Sequence, residues 1–259
     1  MELYRMYPHK CIEQDGKTFY IEDAGAESFV FRCEGEVIKY FPDGVSDKMM
    51  LLAERLQENA EILEPLHILI PIEPIIYNNK IIGYKFKYID FKTDLTSMME
   101  ESTYIECVAY FYIFLLQMDA LMQSGIAMYD DNFKNMVLSI KNELFMLDTV
   151  SKYTEVELSS KSLELEYKFF KMISSSRFSR LIFNYLHKYL LDQGEIPKCI
   201  FKSKKLDVCD YYGFKYNGEL NSLIELFENI IMALPSSERD RINAILLENG
   251  VRTIGMRAQ

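Results

Sequence analysis

Cysteine and histidine are both scarce in this chain. Its 259 residues include five cysteines and three histidines. Cys11, Cys33, Cys107, Cys199 and Cys209 are odd in number and never closer than ten positions apart. That scatter excludes a zinc-ligand pattern and a disulfide framework, and free thiols in a reducing compartment are expected. Positive charge is also short. With 29 Lys and Arg against 39 Asp and Glu, the net charge is −10. An acidic chain is a poor match for a phosphate backbone, so no nucleic-acid partner is expected. The basic stretch Lys202-Ser203-Lys204-Lys205 reads as a solvated loop. The most apolar run, around Tyr110 to Met118, is too short and interrupted for a bilayer span. The opening Met-Glu-Leu-Tyr-Arg lacks the apolar core of a signal peptide. No membrane span and a cytoplasmic location are the expectation. Repeats and low-complexity tracts are absent.

What is present is the material of a folded core: 49% hydrophobic residues and 14% aromatic. That composition argues against disorder. The first ninety or so residues alternate in the manner of strands. Lys17 to Ile21, Ser28 to Cys33 and Glu36 to Phe41 are β-rich, punctuated at Gly25 and at Glu34-Gly35. Ser46 is placed to cap a helix in which Met49, Ala53, Leu56, Ala60 and Leu63 recur at helical spacing, with Pro65 as its stop. Ile72 to Tyr77 and Ile81 to Ile89 form a further hairpin across Asn78-Asn79, residues that tolerate left-handed turns. The predicted order is therefore three strands, a helix and two strands. After Ile89 the pattern turns helical. Thr103 to Ser124 reads as one long helix closed by Gly125. Short β-like stretches follow at Ile126 to Met128, Met136 to Ile140 and Leu144 to Leu147, and helices fill the chain from Glu157 onward.

Asp130 precedes Asn135 by five positions, and Asp148 follows thirteen later. A hairpin between Met136 and Leu147 would bring Asn135 and Asp148 to one mouth. Oxygen ligands of that kind suit Mg²⁺, which takes few protein ligands and keeps waters. Taken singly, each feature has a plainer reading. An Asp-x-x-x-x-Asn is ordinarily a capped loop, and a strand lysine ordinarily faces water.

The ordered set resembles the protein-kinase-like superfamily. Gly125-Ile126-Ala127-Met128-Tyr129-Asp130-Asp131-Asn132-Phe133-Lys134-Asn135-Met136-Val137-Leu138 is similar to its catalytic loop. Leu144-Phe145-Met146-Leu147-Asp148 is similar to the segment ending in its metal-binding aspartate. Glu36-Val37-Ile38-Lys39 resembles the third strand with its phosphate-pairing lysine. Ile81 to Ile89 resembles the fifth strand running into the hinge. The resemblance covers nearly the whole chain and is to a divergent, minimal kinase of bacterial type. It implies an α+β, bilobal fold, with a small β-rich lobe carrying one main helix over 1–88. A larger, mostly helical lobe would cover 89–259. It also implies ATP and Mg²⁺ as ligands and a hydroxyl acceptor on a protein Ser/Thr or a small molecule. Asp130 would be the base and Lys134 would reach the transferring phosphate. Asn135 and Asp148 would hold the metal. Lys39 would pair the phosphates, held by Glu54 or, nearly as well placed, Glu58. Gly25, Val30, Val37, Phe86, Tyr88, Ile89 and Val137 would surround the nucleotide.

The chain departs from that pattern in its regulatory parts. Asp23-Ala24-Gly25-Ala26-Glu27-Ser28 keeps one glycine in the phosphate-covering loop. Met128-Tyr129 replaces the His-Arg before the base, and Thr149-Val150 follows Asp148 in place of Phe-Gly. No Ala-Pro-Glu follows. These losses fit a minimal kinase. They also leave two alternatives: a kinase-like binding protein without catalysis, and an enzyme of the same fold that transfers AMP.

Overall fold

A computed structural model describes residues 11–14, 16–24, 28–128, 135–147, 149, 153–155, 177–196, 204–217 and 219–255. Among these, β1 (Cys11–Gln14), β2 (Lys17–Ala24), β3 (Phe29–Cys33) and β4 (Glu36–Tyr40) precede a helix pair, α1 (Asp47–Glu58) and α2 (Ala60–Leu63). Strands β5 (Glu73–Tyr77) and β6 (Lys80–Lys87) complete a six-stranded antiparallel sheet in the order β1-β2-β3-β4-β6-β5. With the extra strand β1 set aside, β4 is the third strand and β6 the fifth. The expected order of three strands before the helix is thus corrected to four. Cys11 to Gln14 pairs with Lys17 to Tyr20 across a turn at Gly16, where φ is +75°.

Local chemistry sets the boundaries. The Ser46 hydroxyl accepts the Met49 N–H at 3.3 Å and starts α1. Asn59, not Pro65, ends it. Asn78 and Asn79 take φ of 49° and 61°, the left-handed pair that a two-residue hairpin needs.

Past β6 the chain runs into β7 (Phe91–Asp94), a strand the sequence pattern did not suggest. It pairs with β9 (Met136–Ser139), which pairs with β10 (Leu144–Met146). A third, two-stranded sheet joins β8 (Ile126–Met128) to β11 (Tyr153–Glu155), the latter likewise not suggested by the sequence pattern. The helices are α3 (Leu95–Glu101), α4 (Tyr104–Gln123), α5 (Arg177–Asp192), α6 (Lys204–Tyr211), α7 (Leu220–Ala233) and α8 (Ser236–Glu248). The architecture is α+β, a β-rich N-terminal sheet and a helical C-terminal part, consistent with a bilobal kinase-like fold.

Helix α4 is the axis of the core. A capping box fixes its start, with Thr103 and Glu106 satisfying each other's backbone N–H groups. Gly125, at φ +74°, turns the chain after it. The apolar run is longer than the sequence reading held: 20 residues, enough by length and composition to cross a membrane. Most of it is buried inside the protein, including Phe111 and Phe114 at 0% exposure. The large cluster around α4 reaches from Leu52 and Leu56 of α1 to Ile242 and Leu246 of α8. A smaller cluster, built on Phe19, Phe31, Ile38, Tyr40, Ile75 and Ile82, lies on the other face of the six-stranded sheet.

Candidate functional site

Strand alternation sorts the β4 side chains. Ile38 and Tyr40 enter the smaller cluster, so Val37 and Lys39 take the opposite face. Register then builds that face: Val30 lies opposite Lys39, Lys39 opposite Tyr84, and Val37 opposite Phe86. Tyr84 and Phe86 belong to the large cluster that includes α1. Lys39 therefore lies on the side of the sheet that meets α1 and the helical part, with Nζ 5.6 Å from the Phe41 ring centroid. Gly83 lets β6 approach β4 closely. A Cβ there would run into the carbonyl oxygen of Lys39.

Glu54 is an exposed residue of α1, one position past the buried Ala53. Its charge reaches the Tyr84 hydroxyl, which burial chiefly, and Glu54 secondarily, push up to about 12. Glu54 is thus near the strand partner of Lys39. Glu58 instead approaches Arg55 at 4.0 Å and is 68% exposed.

The segment between the two sheets is strapped at both ends. The Tyr88 N–H donates to Gly35 O at 2.8 Å, in the β3–β4 turn. The Ile140 N–H donates to Asp90 O at 3.1 Å, in the β9–β10 turn. The Arg32 guanidinium sits 3.5 Å from the Tyr88 ring centroid and 3.4 Å from the Glu22 carboxylate. Ile89 is buried. Asp94 then spends its carboxylate on α3, accepting from the backbone of Thr96 and Ser97 at 2.8 and 3.0 Å.

The β9–β10 hairpin carries the remaining described candidates. Met136 and Leu138 enter the large core, so Val137 and its cross-strand partner Phe145 face the other side. Val137 is nonetheless 2% exposed. At the mouth, the Leu147 N–H donates to Asn135 O at 2.7 Å. The pairing thus runs from Met136–Met146 to Asn135–Leu147, and Leu147 is the residue bonded to Asp148. On the far side of Asp148, Thr149 is fully buried and its hydroxyl donates to Leu69 O at 2.6 Å. β10 is held to the same segment: Leu69 N–H donates to Met146 O at 3.0 Å, and Met146 N–H to His67 O at 3.1 Å. The His67 and Phe145 rings lie 4.8 Å apart, tilted at 50°, and burial lowers the His67 pKa. Gly25, Asp130, Lys134 and Asp148 lie outside the described residues. Among the described residues, no group of three or more His, Cys, Asp or Glu side chains is placed to hold a metal.

Sequence reasoning missed three supports of this region. Thr149 was noted only as a departure from pattern, although a Thr beside a carboxylate in an apolar run is a candidate buried hydrogen-bond donor. Asp94 heads Asp-Leu-Thr-Ser, a readable helix start. Asn249 had no legible signal. It is fully buried, accepts the Leu144 N–H at 2.6 Å and donates to Asn142 O at 3.2 Å, fastening the end of α8 to the β9–β10 hairpin.

No known family profile and no curated protein match the sequence. Among solved structures, the chain is similar to the yeast RNA Pol II CTD kinase complex CTDK-1, at 17% identity and TM-score 0.43. That match covers 57% of this chain and 50% of that one. It is also similar to WbdD in co-crystal with a kinase inhibitor, at 14% identity and TM-score 0.43, covering 90% of this chain and 50% of that one. The chain spans half the length of each of these structures.

Proposed function

We propose that this chain is an ATP-dependent phosphotransferase that moves the γ-phosphate to a hydroxyl of a protein Ser/Thr or a small molecule. The observation that carries the reading is the hairpin mouth. Asn135 is bonded to Leu147, and the next residue, Asp148, is followed at once by the buried anchor Thr149. On this reading, two oxygen-bearing side chains thirteen positions apart in sequence would meet at the mouth of one hairpin.

The donor set fits magnesium, because both side chains offer oxygen and hard cations prefer it. Asn135 and Asp148 would hold the ion. When bound, it supplies charge neutralisation on the β- and γ-phosphates. Lys39 would hold the α- and β-phosphates, and Glu54 would orient Lys39. Val30, Val37 and Phe86 share the Lys39 face and offer an apolar surface to a planar base, with Val137 on a separate strand as its counterpart. Backbone groups at Lys87 to Ile89, strapped through Tyr88, would bind the edge of that base. Gly25 would let the backbone approach the phosphates. Asp130 would accept the proton of the acceptor hydroxyl, and Lys134 would offset charge on the group in transfer. A cytoplasmic location belongs to the same proposal.

The test uses ATP labelled separately at the α- and γ-phosphates, with Mg²⁺ and a cell extract as acceptor pool. Transfer of the γ label alone is expected. Transfer of the α label would make the protein an AMP transferase. Binding of ATP with neither label transferred would make it a kinase-like binding protein, and the phosphotransferase reading would fall.

A further inference from the structure

A cavity of about 490 Å³ opens in the helical part between α4, α5, α6 and α7. Four tyrosines line it: Tyr104, Tyr189, Tyr211 and Tyr212. Tyr104 and Tyr189 stack at 3.5 Å between ring centroids, with 8° between planes. Tyr211 and Tyr212 meet at 88°, so these two rings form a corner. Three of the phenols satisfy one another or a carboxylate. Tyr104 and Tyr212 hydroxyls lie 2.9 Å apart, and Tyr211 donates to the Glu195 carboxylate at 3.2 Å.

Two carboxylates, Glu195 and Glu238, also line it, and among the described residues no Lys or Arg does. Among those residues neither makes an ion pair, although Glu238 is half-buried. Their field is felt inside. Tyr189 is raised in pKa first by burial and then by Glu238 and Glu195. A partly desolvated carboxylate, Glu238, beside electron-rich rings favours a cation with apolar surface over a hydrated metal ion or an anion. The volume lies in the range of small-ligand pockets, roughly 300–1,000 Å³.

We infer that this cavity is a binding site for a small organic ammonium ion, separate from the nucleotide site. Separation follows from α4. Tyr104 opens that helix and the segment toward Asp130 follows its other end, about 28 Å away at 1.5 Å per residue. The ammonium group sits among the tyrosine rings with Glu238 as counter-ion, and the organic body lies against the apolar residues of α7. On the nucleotide-site reading above, a ligand there would not be the phosphate acceptor and would act from a distance.

The test is calorimetric titration of the full chain with choline and with 3,3-dimethylbutan-1-ol, its uncharged carbon isostere, without nucleotide. Saturable choline binding is expected, with the isostere at least tenfold weaker. Glu238→Gln should weaken choline at least fivefold. Tyr211→Leu should weaken it similarly, and Tyr211→Phe, which keeps the ring, should not. Equal binding of choline and its isostere would overturn the inference, as would no saturable binding or an unchanged affinity in Glu238→Gln. The choline comparison uses the unmodified protein, so it stands even if a variant folds poorly.

Discussion

Thr149→Val separates what the hairpin anchor does for stability from what it does for chemistry. Valine matches threonine in shape but cannot donate to Leu69 O, a bond of 2.6 Å at a fully buried side chain. A neutral hydrogen bond contributes about 1 kcal/mol net, and a buried acceptor left without its donor costs about 1–3 kcal/mol. The expected loss is about 1–2 kcal/mol. At about 2–4 °C per kcal/mol for a chain of this size, Tm should fall by about 2–8 °C. Most molecules stay folded at 25 °C, so a loss of transfer there reports displacement of Asp148, the neighbour of Thr149. Small misplacements of a reacting group cost up to roughly a hundredfold, so a loss of at least tenfold is expected. Thermal melting and labelled-phosphate transfer measure the two effects, with Thr149→Ser as the control that keeps the hydroxyl. Full activity in Thr149→Val, or equal loss in Thr149→Ser, would refute the anchoring argument.

Asp130→Asn should spare ATP binding yet slow transfer by about 10²–10⁴-fold, while Asp131→Asn leaves it intact; the reverse pattern would put the register off by one. Lys39→Ala and Glu54→Ala should be non-additive in a double-mutant cycle of transfer rates, whereas Lys39→Ala and Glu58→Ala should add. Gly83→Ala forces a methyl group onto the Lys39 carbonyl, so chemical denaturation should show a loss of about 1–3 kcal/mol. His67 titrates below its ordinary 6.5 because it is half-buried, so the folded state binds its proton more weakly than the unfolded state. Its contribution is therefore complete above about pH 6.5 and fades as pH falls through the lower folded value. Urea midpoints of wild type should drop more over that interval than those of His67→Asn, which suits the left-handed backbone there.

Much of this fold was legible because its signals are local. Ser46, Asn78-Asn79 and Gly125 each act through their own backbone, and each does so in the structure. The side of the sheet taken by Lys39 was implicit in alternation with Ile38 and Tyr40. Strand β7 was not legible. Phe91 to Asp94 has little apolar alternation, and its strand character comes from pairing with β9, some 45 residues later. β11 is likewise defined by β8 rather than by its own three residues. The bond from Asn249 to Leu144 spans 105 positions and leaves no local trace. At the candidate site, the hairpin was legible but its register was not: ends at Met136 and Leu147 imply Asn135 opposite Asp148, whereas Met136 pairs with Met146 and Asn135 with Leu147. The Thr149 anchor depends on where the segment after α2 comes to lie, which composition does not record.

The central claim is tested most directly by titrating ATP into the wild-type chain and Asp148→Ala, each with and without Mg²⁺. Tighter binding with Mg²⁺ in wild type, lost in Asp148→Ala, is the expected result. No binding of ATP to the wild-type chain in either condition would contradict it.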